Sequence, residues 1–66
     1  MRLTINGEQR EVSGVETIAR LVASLGLDPR KVAVERNLEI VPRSVYGSAA
    51  LTDGDRIEIV HFIGGG

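Results

Sequence analysis

The sequence predicts an α+β fold in which a mixed sheet of four to five strands packs on one helix. A segment with helical periodicity lies between two hairpin-like pairs of strand segments, and a last strand follows them. Because a lone helix can bury its apolar stripe against only one face of a sheet, this order gives a two-layer roll. The first and last strands of such a roll commonly pair in parallel at the centre of the sheet, which is the β-grasp arrangement.

The first hairpin is indicated by alternation and by its turn. Leu3 and Ile5 alternate with polar residues, a period of two that is typical of a half-buried strand. Asn6 and Gly7 follow at once, and this pair readily adopts the positive φ angles of a tight hairpin turn. We therefore expect the return strand at residues 8–12.

The helix is predicted from capping signals at both ends of an apolar stripe. Ser13 and Glu16 match a capping box, in which the hydroxyl and the carboxylate satisfy free backbone N–H groups. Gly26 supplies the left-handed conformation that ends a helix, with Leu27 placed for the accompanying apolar contact. The residues at helical spacing between these signals are Ile18, Leu21, Val22 and Leu25.

The second hairpin is predicted from a β-prone segment at residues 32–34, a turn at residues 37–38 and a short return strand at residues 40–41. Residues 43–50 are irregular, with room for one helical turn. The expected anchors of this segment to the core are Val45, Tyr46 and Leu51, with Tyr46 as a half-buried lid. The sequence Asp53-Gly54-Asp55 is typical of a tight turn, where such carboxylates stabilise the turn.

Residues 56–62 form the most regular predicted strand, and its two faces differ in character. Ile57 and Ile59 share one face and are expected to pack on the helix. Glu58, Val60 and Phe62 then point to the opposite, solvated face. Because exposed apolar clusters often mark binding surfaces, we expect these three side chains to form a docking site for a partner.

The chain ends in Gly64, Gly65 and Gly66, directly after this strand. We therefore predict a β-grasp domain at residues 1–63 and a flexible glycine tail at residues 64–66. Four residues from Ile63 onward, fully extended, reach about 13 Å. The three glycines lack side chains, so they are suited to threading a narrow channel and bringing the terminal carboxylate to a partner's catalytic centre. A frayed terminus without function is the competing interpretation.

Composition excludes several classes of function. The chain has no cysteine and one histidine, which excludes disulfides and the usual zinc sites. The net charge is −1 with both signs interspersed, so a nucleic-acid interface is not expected. No apolar run approaches the ~20 residues of a membrane span, and no signal peptide is recognisable. We therefore expect a cytoplasmic protein, monomeric when free, without a self-contained catalytic site or tightly bound cofactor.

At this point the chain resembles the sulfur carrier proteins of thiamin biosynthesis, the ThiS family with its ubiquitin-like β-grasp fold. The resemblance is densest in the sequences VERN at 34–37 and EIVPR at 39–43. It returns at Leu51, at residues 53–55, and at residues 57–62 running into the terminal glycines. An ending of three glycines instead of the minimal pair is a departure, which leaves Gly64 as a spacer.

The resemblance implies a two-step activation of the chain by other proteins. An adenylating enzyme uses ATP and magnesium to convert the Gly66 carboxylate to an acyl-adenylate. A sulfur donor, such as a cysteine desulfurase, then supplies sulfur as AMP leaves, and a thiocarboxylate remains at Gly66. Thiazole synthase is the implied acceptor, so the chain acts as a carrier and co-substrate and not as an enzyme.

Three alternatives stay open. A sulfur carrier of molybdenum-cofactor synthesis shares the terminal glycines but usually has a longer chain. A ubiquitin-like modifier would be joined through Gly66 to lysines of target proteins. A plain β-grasp binding module would keep full activity after loss of Gly65 and Gly66.

Overall fold

The computed structural model of the chain describes residues 1–62, which form a five-stranded mixed sheet and one α-helix. The strands are β1 (Arg2–Ile5), β2 (Glu8–Glu11), β3 (Val32–Arg36), β4 (Glu39–Val41) and β5 (Arg56–His61), and helix α1 (Ile18–Ser24) lies between β2 and β3. Single 3₁₀ turns occupy Pro29–Lys31 and Arg43–Val45. The predicted α+β roll is confirmed. The predicted domain boundary at residue 63 and the tail at residues 64–66 lie outside the described residues.

The sheet has the order β2-β1-β5-β3-β4, so the last strand lies at its centre. β5 runs parallel to β1, with Ile57 opposite Ile5, and antiparallel to β3. The two hairpins contribute the outer strands β2 and β4. The predicted parallel pairing of the first and last strands is therefore confirmed.

The core lies between the helix and one face of the sheet. The sheet supplies Leu3, Ile5, Val32, Val34, Val41, Ile57 and Ile59, and the helix supplies Ile18, Leu21 and Val22. Leu25, the fourth member of the predicted stripe, is half-buried and packs against this cluster. A core this small leaves little surplus stability, so each fully buried side chain matters.

The start of the helix differs from the sequence prediction. Thr17 is the N-cap, and its side-chain oxygen accepts a hydrogen bond from the Arg20 N–H at 3.2 Å. The two backbone N–H groups between Thr17 and Arg20 bind a distant segment. The Ile18 N–H donates to the Ala49 carbonyl at 3.0 Å, and the Ala19 N–H donates to the Tyr46 carbonyl at 2.9 Å. The capping box predicted at Ser13–Glu16 was wrong, because backbone carbonyls of the later loop satisfy these donors instead.

The end of the helix agrees with the prediction. Gly26 has φ +76, and its N–H donates to the Ala23 carbonyl at 3.0 Å. The Leu27 N–H donates to the Val22 carbonyl at 3.1 Å, which completes a Schellman motif.

The irregular segment before β5 is anchored more deeply than predicted. Tyr46 is buried, so its interpretation as a half-buried lid was wrong; its hydroxyl donates to the Val32 carbonyl at 3.2 Å, which satisfies the phenol inside the core. Leu51 is buried as predicted. Val45 is 38% exposed and does not belong to the buried cluster, so the prediction that it anchors this segment was wrong.

Candidate functional site

β5 presents two faces of opposite character, as the alternation predicts. Ile57 and Ile59 are buried under the helix, and Glu58 is half-buried on the other face. Val60 and Phe62 follow on that outer face and are 61% and 45% exposed. The predicted orientation of these side chains is confirmed, and their contact with a partner stays a prediction.

The neighbouring strands extend this outer face. The register places Ala33 of β3 opposite Val60, and Glu35 of β3 opposite both Glu58 and Ile40 of β4. Ile40 is 77% exposed. Sequence reasoning missed Ile40 and Glu35 as members of this surface, although the burial of Val41 inside the sheet implies by alternation that Ile40 points outward.

Two asparagines hold β5 in place. The Asn6 side chain accepts from the Ile59 N–H at 2.7 Å and donates to the Ile59 carbonyl at 3.3 Å, which continues the β1–β5 ladder after β1 has turned away. At the start of β5, the Asn37 side chain accepts from the Arg56 N–H at 2.9 Å. Sequence reasoning assigned both asparagines to turns and missed these bonds, since they join residues far apart in the chain.

The turn before β5 is stabilised by its carboxylates, as predicted. Asp55 is buried, and it accepts from the Thr52 N–H at 2.8 Å and from the Asn37 side-chain amide at 3.0 Å. Asp53 accepts from the Arg2 N–H at 2.6 Å. These bonds give both carboxylates a local structural role in the turn.

Sheet pairing continues past the end of β5 to residue 62. The Phe62 N–H donates to the Lys31 carbonyl at 2.8 Å, so the β3–β5 ladder persists up to the last described residue. Gly64, Gly65 and Gly66, the residues predicted to carry the chemistry, lie outside the described residues. Their roles as tail and as modified terminus stay predictions.

The described residues contain no cluster of metal-ligating side chains. Within residues 1–62, no three His, Asp or Glu side chains are grouped so that they could hold a metal ion. His61 is exposed, next to a shallow groove that Asn6, Leu25 and Leu27 also line. Hydrogen bonds from Arg30 lower the pKa of Asp28 to about 2, but this exposed pair lies beside the 3₁₀ turn after the helix.

Among the residues that the structure describes, no helix is long and apolar enough to span a bilayer.

Known proteins resemble this chain over its whole length. The chain is 61% identical over 66 residues to a thiazole synthase of Paramagnetospirillum magneticum and 47% identical over 66 residues to one of Magnetococcus marinus. Each match covers all of this chain but only 20% of the relative. The chain thus spans about a fifth of the length of these two relatives. It is 52% identical over 50 residues, 76% of either chain, to the sulfur carrier protein ThiS of Bacillus subtilis.

A solved structure and a family model agree with these relatives. The crystal structure of the thiamine biosynthesis protein ThiS from Geobacter metallireducens superposes with a TM-score of 0.83 at 35% identity, and the match covers 100% of both chains. The model of the ThiS family matches residues 3–66. The β-grasp sheet with β5 at its centre, the relatives and the family model agree, and the chain belongs to the ThiS family.

Proposed function

We propose that the chain is the sulfur carrier for synthesis of the thiazole moiety of thiamin. The observation that carries this proposal is the match to the ThiS family, which runs through the terminal glycines as far as residue 66. The similarity to the sulfur carrier protein of Bacillus subtilis supports it. In this role the chain is a co-substrate that other enzymes act upon, and not itself an enzyme.

The chemistry takes place at the Gly66 carboxylate. A carboxylate is a poor electrophile, and transfer of AMP from ATP gives its carbon a good leaving group, with pyrophosphate released. The terminal persulfide sulfur of a donor, such as a cysteine desulfurase, then attacks this carbon and displaces AMP, and a thiol reductant cleaves the resulting acyl disulfide to leave the thiocarboxylate. The resulting thiocarboxylate is a soft nucleophile. Gly64 and Gly65 give the backbone a slender profile, so that Gly66 can enter an enclosed active site.

Two other proteins complete this proposal. An adenylating enzyme holds ATP and magnesium, so the carrier needs no tightly bound cofactor of its own. Thiazole synthase is the acceptor, which is supported by the two relatives named thiazole synthase that contain a segment like this chain. We assign Glu58, Val60 and Phe62 to docking, since they lie exposed or half-exposed on the strand that leads into the tail.

A cytoplasmic location fits this function, because ATP and a reduced sulfur donor are both required. The free chain is proposed to be a monomer that binds its partners in turn. A carrier must leave each partner after its reaction, so moderate affinities suit this cycle.

The intact mass of the chain tests this function. The chain is incubated with an adenylating enzyme, ATP, magnesium and a sulfur donor, and a variant lacking Gly65 and Gly66 is treated in parallel. We expect the mass to rise by the difference between one sulfur and one oxygen, located at Gly66, and the truncated variant to stay unchanged. An unchanged full-length chain, under conditions that load a known carrier, would contradict the proposal and favour a plain binding module.

The product also separates the alternatives. Chain joined through Gly66 to lysines of other proteins would favour a ubiquitin-like modifier. Transfer of the sulfur to a molybdenum-cofactor precursor and not to thiazole synthase would favour the other sulfur carrier.

A further inference from the structure

Two glutamates oppose each other on the outer face of the sheet. Glu35 of β3 and Glu58 of β5 are direct partners in the antiparallel register, which sets their Cα atoms about 5 Å apart. Like charges directly opposite each other destabilise a sheet. The ion pairs found among residues 1–62 join Met1 to Glu11 and Asp28 to Arg30, so neither of these carboxylates is neutralised in this way.

The fold does not explain this pair of charges. Arg56, two positions before Glu58 on the same strand, forms no ion pair with either carboxylate in the described part of the chain. Neither side chain takes part in a hydrogen bond that supports a turn or a cap, in contrast to Asp53 and Asp55. The pair therefore opposes folding without a structural role among the described residues, which directs attention to binding.

The apolar surroundings indicate how such a bound state is built. Ile40 lies opposite Glu35 on β4, and Val60 follows two positions after Glu58. Both apolar side chains are largely exposed, at 77% and 61%. A partner that covers them also removes water from the carboxylates between them, and this strengthens any charge interaction made there.

We propose that this face binds an arginine of the adenylating enzyme, whose guanidinium lies between Glu35 and Glu58 while apolar side chains cover Ile40 and Val60. A guanidinium is planar and has five N–H donors, so it can bond two carboxylates at once; an ammonium is compact and more strongly hydrated. The proposal rests on the proposed sulfur carrier function.

Charge complementarity selects the adenylating enzyme as the occupant. Its active site has to hold the triphosphate of ATP and the carboxylate at the end of the tail, and positive charge around that site favours both of these anions. A carrier face with two carboxylates, on the strand that leads to the tail, complements such a surface. Complementary charges of this kind also speed the encounter of transient partners.

The test compares binding with stability in the same variants. Glu35→Gln, Glu58→Gln and the double variant remove the charges with little change of shape. Glu39→Gln is the matched control, because it removes one charge from an exposed position of β4 that pairs with Arg36 and not with Glu35. The readouts are the KM for the carrier in ATP-pyrophosphate exchange by the adenylating enzyme, its dependence on salt, and the melting temperature.

We expect the double variant to raise the KM by about tenfold, as for loss of a hydrogen-bonded charge pair. The salt dependence of the KM becomes weaker, and the melting temperature stays the same or rises, because a repulsion has been removed. The control leaves the KM unchanged. A structural role for the glutamates would instead lower the melting temperature.

Other outcomes overturn the proposal. An unchanged KM in the double variant, or a KM that rises together with a falling melting temperature, contradicts it. An effect seen only on binding to thiazole synthase assigns the face to that enzyme and overturns the choice of partner. Absence of any pyrophosphate exchange with the unaltered chain refutes the sulfur carrier function, and this proposal falls with it.

Discussion

The two hairpins of this domain have the same turn geometry but differ in the surfaces that they carry. In each hairpin a two-residue turn joins the strands, Asn6-Gly7 in the first hairpin and Asn37-Leu38 in the second. All four have positive φ, at 49° and 83° in the first turn and 52° and 71° in the second. This is the conformation of a type I′ turn, which matches the twist of the flanking strands.

The asparagines have a shared structural role. The Asn6 side chain forms hydrogen bonds with the backbone of Ile59, and the Asn37 side chain with the Arg56 N–H and Asp55. Each turn therefore closes its own hairpin and also holds the central strand, which comes much later in the chain. The two hairpins therefore do not differ in how their turns hold β5.

The remaining residues of the hairpins differ. β2 is polar and exposed at every position, which suits an edge strand in water. The second hairpin instead has a leucine, Leu38, at a positive φ where glycine is favoured, and it exposes Leu38 and Ile40. Neither feature favours stability or solubility, and both fit the proposal that the β3–β4 side of the sheet binds a partner.

The largest expected effect is on the role that the hairpins share. We expect Asn6→Ala and Asn37→Ala each to lower the free energy of unfolding by about 2–3 kcal/mol, since each loses two side-chain hydrogen bonds and alanine tolerates a positive φ less well than asparagine. Urea unfolding followed by circular dichroism measures this. Asn6→Gly and Asn37→Gly keep the positive φ angle, so they isolate the contribution of the hydrogen bonds to stability. A loss of stability in the variants of only one hairpin would contradict the shared role.

A smaller effect is expected on binding. We expect Phe62→Ala to weaken binding to the adenylating enzyme or thiazole synthase by about tenfold, about 1.4 kcal/mol, because an exposed aromatic anchor is lost. The melting temperature should change little. Gln9→Ala on the first hairpin is the control and should bind normally. Parallel losses of thermal stability and binding in Phe62→Ala would show that the side chain serves the core instead.

The smallest effect concerns the second residue of each turn. We expect Leu38→Gly to raise the free energy of unfolding by about 1 kcal/mol, by relieving a side chain held at positive φ. Gly7→Ala should lower it by a similar amount through the backbone alone, since no atom lies within 4 Å of an added Cβ. Thermal unfolding of both variants provides the measurement. If Leu38→Gly destabilises the domain, the leucine contributes packing that outweighs its strain.

Much of the candidate site was predictable because it depends on alternation within one strand. The period of two along β5 separates Ile57 and Ile59 from Val60 and Phe62, whatever the neighbouring strands are. The neighbours Glu35 and Ile40 were not identified as part of the surface. Their place there depends on the register of β3 and β4 against β5, and no local pattern specifies which residues face each other across strands that are distant in sequence.

The sequence by itself determined the features that depend on residues close together in the chain. These include the Asn6-Gly7 turn, the end of the helix at Gly26 and the alternation of β5, since each follows from backbone preferences or periodicity. Only the tertiary structure decided where the helix begins, because the carbonyls of Tyr46 and Ala49 satisfy its first N–H groups. It likewise decided that Glu35 opposes Glu58, because packing of the whole sheet sets contacts that the local sequence cannot specify.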